Sequence, residues 1–171
     1  MKGYVQLYTG NGKGKTTAAL GLALRAAGAG MRVFIAQFAK GMKFSELKSI
    51  ERLGEIITIK QYGRSNFIRD KAEPEDIELA RKGLEEVRSI LSQGNYQMVI
   101  LDEATIAVHF NLFSSEELLD IIKSKPEHVE LVITGRHADP LIIEHADLVT
   151  EMREIKHYYH KGIKARPGIE H

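Results

Sequence analysis

The chain of 171 residues contains no cysteine, which excludes disulfides and thiolate metal sites. No apolar run approaches the ~20 residues that a membrane-spanning helix needs, and Met1-Lys2-Gly3-Tyr4 leads straight into a strand pattern rather than a signal peptide. An excess of either charge is also missing: 24 Lys and Arg against 23 Asp and Glu leave a net +1, so nothing draws the whole chain toward nucleic acid or acidic lipid. No internal repeat, low-complexity tract or composition break marks a second domain. With 43% hydrophobic and 27% charged residues, the chain has material for one core in a single domain over 1–171. These absences predict a cytoplasmic protein with neither a nucleic-acid nor a membrane partner.

What is present is organised around residues 4–17, Y-V-Q-L-Y-T-G-N-G-K-G-K-T-T. The pattern is strand, glycine-rich turn, helix start. Gly10, Gly12 and Gly14 let backbone N–H groups crowd an anion. Lys15 supplies a point charge for phosphate oxygens, and Thr16 a hydroxyl for Mg²⁺. The helix N-terminus adds partial positive charge at the same spot. Thr9, Gly10, Asn11, Gly12, Lys13, Gly14, Lys15, Thr16 and Thr17 are therefore the predicted triphosphate cradle. The pattern G-x-x-x-x-G-K-[ST] places its first glycine at position 9, where this chain has Thr9, so Gly10 comes one residue late. The dinucleotide pattern G-x-G-x-x-G needs glycine where Lys15 stands and an acid where Gln37 stands, and is set aside.

Strand patterns recur at 4–9, 33–38, 55–60, 98–101, 129–134 and 148–152. Helix patterns fall near 15–27 and 44–52, in the segment opened by Glu73-Pro74, after a capping box of Ser114 with Glu117, and after Asp139-Pro140. In the long helix Ile77, Ala80, Leu84, Val87 and Leu91 share one face. Alternating strands and helices predict an α/β fold, a mostly parallel sheet flanked by helices, with ligands at the carboxyl ends of the strands. The polar stretches 37–43, 61–70, 102–103 and 134–137 all follow strands.

Asp102 and Glu103 end an apolar strand, where the second acidic motif of phosphate-loop proteins holds Mg²⁺ opposite the loop hydroxyl. Thr16, Asp102 and Glu103 are the candidate metal ligands, and the sequence does not say which acid is nearer. Lys13, Lys40, Lys43, Arg64 and Arg136 can face the same edge, with Arg136 best placed because it directly follows a strand. His157 and His160 lack a third ligand in register, so hydrogen-bonded histidines are expected there rather than zinc. His137 is a weaker candidate for a substrate contact. The basic tail, 155–171, lacks the length and aromatic spacing of a nucleic-acid platform, and is expected to fold back over the phosphate site or else to be disordered.

These motifs are specific enough to resemble a family. T-G-N-G-K-G-K-T-T at 9–17, with its late first glycine, is similar to the phosphate loop of the bacterial ATP:corrinoid adenosyltransferases. So are Q-F-A-K-G at 37–41, L-D-E at 101–103, T-G-R-H at 134–137, A-D-L-V-T-E-M-R at 146–153 and the K-H…G-I-K-A-R-P-G-I-E tail at 156–170. The resemblance implies a RecA-like P-loop fold and transfer of the 5′-deoxyadenosyl group of ATP to the Co(I) of a reduced corrinoid, with triphosphate leaving. It implies Mg²⁺ or Mn²⁺, a homodimer and a flavoprotein reductant. Lys15 and Glu103 take the catalytic roles, and Arg136 joins the ATP-binding set. Members often carry G-x-G-F-T-W in the loop after the third strand, aromatics that crowd the lower corrin face. Here the loop is Gly63-Arg64-Ser65-Asn66-Phe67-Ile68, which leaves Phe67 and Ile68, with Lys40 and Arg64, as the corrinoid-binding candidates. Many relatives also have a helical extension before the first strand, and this chain begins at the strand. The alternatives are a small-molecule kinase or nucleotide hydrolase, a non-catalytic nucleotide or corrinoid carrier and, more remotely, a nucleic-acid ATPase.

Overall fold

The computed structural model describes residues 2–42, 44–66, 68 and 71–170. Among them six strands form one parallel sheet: β1 (Val5–Thr9), β2 (Val33–Phe38), β3 (Ile57–Tyr62), β4 (Met98–Asp102), β5 (Glu130–Thr134) and β6 (Leu148–Glu151). Their spatial order is β3-β2-β4-β5-β1-β6. Between them run α1 (Lys15–Gly28), α2 (Ser45–Glu51), α3 (Pro74–Gln93), α4 (Ala104–His109), α5 (Ser115–Ser124) and α6 (Pro140–His145), and a 3₁₀ turn, Tyr158–Lys161, follows β6. No helix among the described residues is long and apolar enough to cross a membrane.

Alternation along each strand divides the core in two. Phe34, Ala36, Phe38, Val99, Leu101, Leu131 and Ile133 face α3 and α5 with Leu84, Val87, Leu91, Leu118 and Ile121. Val33, Ile35, Met98, Ile100 and Val132 face the other way, onto Ala19, Ala23, Ala26 and Ala27 of α1. The alanines recur at helical spacing, and their small side chains let α1 lie close to the sheet. That closeness fixes where its N-terminus, and so the phosphate loop, meets the sheet edge.

Helix ends follow local chemistry. Glu73 and Asp76 form a reciprocal capping box on α3, with Pro74 in its first turn. Ser114 and Glu117 do the same for α5. Asp139 accepts from the Leu141 N–H and starts α6.

Two elements differ from the sequence expectation. The third strand starts at Ile57 rather than Glu55, because the Ile56 and Ile57 N–H groups are bonded to Leu53 O in a turn. The strand therefore extends to Tyr62 and takes Gln61 with it, opposite Gln37. Helix α4 was not anticipated. It begins directly after Glu103, whose φ of +58° turns the chain sharply at the strand end.

Candidate active site at the carboxyl edge

Three strand ends meet at the site. The phosphate loop leaves β1, the two acids leave β4, and β5 lies between them in the sheet. Thr134, the last residue of β5, joins the two. Its hydroxyl donates to Asp102 Oδ1 at 2.7 Å and accepts from the Glu103 N–H at 3.0 Å. Beyond it Gly135, at φ +140°, packs so tightly that a Cβ would lie 2.3 Å from Thr105 Oγ1. The Thr105 hydroxyl donates to Arg136 O at 2.7 Å, tying α4 to the loop that carries Arg136.

The loop itself has the expected form. Gly10 and Gly14 have φ of +94° and +120°, conformations that favour glycine. Gly14 is the N-cap of α1 and accepts from the Ala18 N–H at 2.7 Å. Asn11 and Thr17 are exposed. Gly12 donates to Met152 O at 2.6 Å, and the Met152 N–H donates to Thr9 O at 2.8 Å, so the segment after β6 lies against the loop. The Lys15 ammonium is buried within the loop and donates to Gly10 O at 2.7 Å and Gly12 O at 2.8 Å. Burial and the nearby Arg136 lower its pKa, with Glu103 and Asp102 opposing.

Asp102 is 1% exposed and accepts four hydrogen bonds. Thr16 Oγ1 (2.8 Å) and Thr134 Oγ1 bond Oδ1, while Gln37 Nε2 (3.1 Å) and Lys40 Nζ (2.7 Å) bond Oδ2. Burial disfavours its charge, but Lys40, Thr134 and Thr16 together hold its pKa below the ordinary aspartate value. Burial likewise works against the Lys40 charge, and Asp102 with Glu103 outweighs it and raises the pKa. Glu103 moves the other way. Burial and the neighbouring Asp102 raise its carboxyl, with Lys40, Lys15 and Arg136 only partly compensating. Thr16, Asp102 and Glu103 thus bring hard oxygen donors to one place, a set suited to Mg²⁺ or Mn²⁺ once a triphosphate adds its own oxygens.

The remaining predicted residues divide. Lys13 reaches the tail, donating to Tyr158 Oη (3.2 Å), Ile169 O (2.9 Å) and Glu170 Oε1 (2.8 Å). Arg166 stands 4.9 Å from the Tyr158 ring centre and also pairs with Glu170. Arg136 is exposed at the site edge. Arg64 is engaged elsewhere: its guanidinium grips both oxygens of Asp76, at 2.8 and 2.9 Å, and Glu73 at 3.0 Å, pinning the start of α3. Ile68 packs against the core. Phe67 and Lys43 lie outside the described residues. His109 and His137 stack with ring centres 4.2 Å apart beside Arg136, and burial, His109 and Arg136 lower the His137 pKa. His157 Nδ1 accepts from the Tyr159 N–H, and His160 pairs with Glu154.

Residue-by-residue reading of the sequence missed Gln37 and Thr134 as partners of Asp102. The available signal was a polar side chain at the last turns of an otherwise apolar, buried strand, which must find a partner. Register supplies it for Gln37, which sits directly opposite Asp102 on the neighbouring strand.

Comparison with known proteins shows the fold and the family. The solved KaiC-like protein of Pyrococcus horikoshii superposes with a TM-score of 0.61 at 16% identity, covering 91% of this chain and 75% of that one, which shows a shared RecA-like P-loop fold. The corrinoid adenosyltransferase of a Sinorhizobium species is 36% identical over 99% of this chain and 80% of its own length. That of Escherichia coli is 36% identical over 99% and 86%, and that of Salmonella typhimurium is 33% identical over the same shares. The family model described as ATP:corrinoid adenosyltransferase BtuR/CobO/CobP matches residues 1–171, and the chain belongs to that family.

Proposed function

We propose that this protein transfers the 5′-deoxyadenosyl group of ATP to the cobalt of a reduced corrinoid, with the phosphate loop gripping the part of ATP that leaves. The observation that carries this reading is the convergence of Lys15, Thr16, Asp102 and Glu103 on one strand edge, in a chain matched end to end by the adenosyltransferase family. The electron pair of Co(I) attacks C5′, a cobalt–carbon bond forms, the C5′–O bond breaks, and its electrons depart on inorganic triphosphate.

Negative charge therefore grows on the α-phosphate end of the leaving group. Lys15, now satisfied by Gly10 O and Gly12 O, is positioned to exchange those carbonyls for phosphate oxygens, and the loop amides add fixed donors. Arg136 contributes a further positive charge at the rim. Thr16, Asp102 and Glu103 would hold Mg²⁺ or Mn²⁺. Such an ion supplies charge neutralisation of the triphosphate. Because Co(I) is itself a strong nucleophile, Glu103 is assigned to metal or substrate rather than to a general base.

The segment 155–170 is proposed to close over the nucleotide, supported by its bonds to Lys13 and by Met152 on Gly12. Ile68 and the loop after β3 are the proposed corrin-facing surface. Arg64 joins it only by releasing Asp76. A homodimer, a flavoprotein reductant and a cytoplasmic location are proposed on the family resemblance of the motifs. Anaerobic incubation with ATP, Mg²⁺ and chemically reduced cobalamin tests the reading. A light-sensitive alkyl-cobalt spectrum is expected, and loss of ATP without it would overturn the assignment.

A further inference from the structure

Lys40 is held in place by an unusual piece of backbone. It follows β2 by two residues, after Ala39, whose φ of +52° is left-handed. The Ala39 N–H donates to Tyr62 O at 3.2 Å. The loops after β2 and β3 then meet backbone to backbone. A Cβ on Gly41 would lie 2.2 Å from Gly63 O, and one on Gly63 would lie 2.4 Å from Lys40 N. This contact aims the Lys40 side chain into the site. Its ammonium is 2.7 Å from Asp102 Oδ2, 3.3 Å from Thr16 Oγ1 and 3.8 Å from Glu103 Oε1. It touches all three residues assigned above to the divalent cation.

Asp102 has no acceptor site to spare. Each carboxylate oxygen offers two lone-pair positions, and each already takes two donors. A further ligand reaches it only if a donor leaves. Thr134 and Gln37 are fully buried on strands, and Thr16 is itself a candidate ligand. Lys40, on a flexible four-carbon stem, is the donor that can move, and it carries the sign of charge that a metal would replace.

We propose that Lys40 is a stand-in cation: without ATP its ammonium holds the metal position on Asp102, and on loading Lys40 releases Asp102 and transfers to the triphosphate. This rests on the metal assignment of Thr16, Asp102 and Glu103. It makes metal and ATP binding cooperative, because the ammonium displaced from Asp102 needs the triphosphate as its new acceptor. Lys40 thereby becomes a second leaving-group lysine beside Lys15, rather than a corrinoid contact.

The test is Mn²⁺ binding followed by electron paramagnetic resonance without nucleotide, and ATP binding by equilibrium dialysis in EDTA, for wild type, Lys40→Met and Lys40→Arg. Lys40→Met should bind Mn²⁺ alone about tenfold or more tightly than wild type and bind metal-free ATP about tenfold more weakly, within the usual range of site coupling. Lys40→Arg, which keeps the cation, should stay near wild type for Mn²⁺. Equal Mn²⁺ affinity in wild type and a cooperatively folded Lys40→Met would overturn the exchange. If Lys40→Met does not fold, acylation of Lys40 in wild type, read by mass spectrometry, decides. Saturating Mg²⁺ alone should speed it, with protection restored by ATP, and an unchanged rate would refute the proposal. Wild type that binds no Mn²⁺ even with ATP would instead remove the metal assignment, and the exchange with it.

Discussion

Replacing Asp102 by Asn perturbs the site at a buried point where four donors converge. Each carboxylate oxygen now accepts two donors, so either orientation of the amide turns an N–H₂ group toward two hydrogen-bond donors. In the orientation that keeps Thr16 and Thr134, Gln37 and Lys40 lose their acceptor. Lys40 keeps only the longer contacts to Thr16 Oγ1, at 3.3 Å, and to Glu103 Oε1, at 3.8 Å. Removing one member of a buried pair costs about 3–5 kcal/mol, a large part of the roughly 5–15 kcal/mol that holds a domain together. Lys40→Met should cost a comparable amount, because it strands a buried carboxylate. The double variant removes both charges, so its loss should fall short of the sum by about 2–3 kcal/mol, at the upper end of measured pair couplings. Urea denaturation of the four proteins without nucleotide, with slopes compared to confirm a common unfolding reaction, gives that coupling. Additivity within about 0.5 kcal/mol would show that the two groups do not sense one another, and the description of the site would be wrong.

Three further outcomes are expected. Lys15→Ala should fold yet lose ~100-fold or more in the rate of alkyl-cobalt formation, since a charged donor fixed on the leaving group is worth roughly 3–4 kcal/mol of barrier. Gly63→Ala should lower stability by about 1–3 kcal/mol in thermal melting, because its Cβ meets Lys40 N and Ala39 backbone that has nowhere to go; it should also weaken ATP binding by displacing Lys40. The Arg64 hydrogen bonds depress the Asp76 pKa despite the opposing effect of burial. Their stabilisation is therefore complete above the ordinary aspartate value and lost as pH falls through the folded value of Asp76. Lys replacement of Arg64 forfeits the bidentate grip, so the acid-unfolding midpoint should move to higher pH.

Most of the site could be read from the chain because strand ends in a parallel sheet converge, and each polar stretch after a strand lands on the same edge. The phosphate loop, Asp102, Glu103 and Arg136 follow from that rule alone. What could not be read depends on register and on side-chain reach. Gln37 meets Asp102 because β2 and β4 align those residues, and nothing local in the sequence sets that alignment. Glu55 and Ile56 look like strand yet lie in a turn, because hydrogen bonds to Leu53 O compete with the sheet. Helix α4 carries little local signal because its run A-T-I-A-V-H is short and its N-cap, Glu103, makes no side-chain capping bond; its start depends on the left-handed turn at Glu103. Arg64 and Lys40 both read as loop cations able to face the site edge. Asp76 claims the first and Asp102 the second, because a buried acid captures a cation that sequence distance leaves undetermined.

The most direct test of the central claim is to identify the phosphorus-containing product. Purified protein, ATP, Mg²⁺ and chemically reduced cobalamin, mixed anaerobically in the dark, should yield inorganic triphosphate by phosphorus NMR, in step with the alkyl-cobalt absorbance and one for one with it. Formation of ADP and orthophosphate in its place, with no carbon bound to cobalt, would contradict the account.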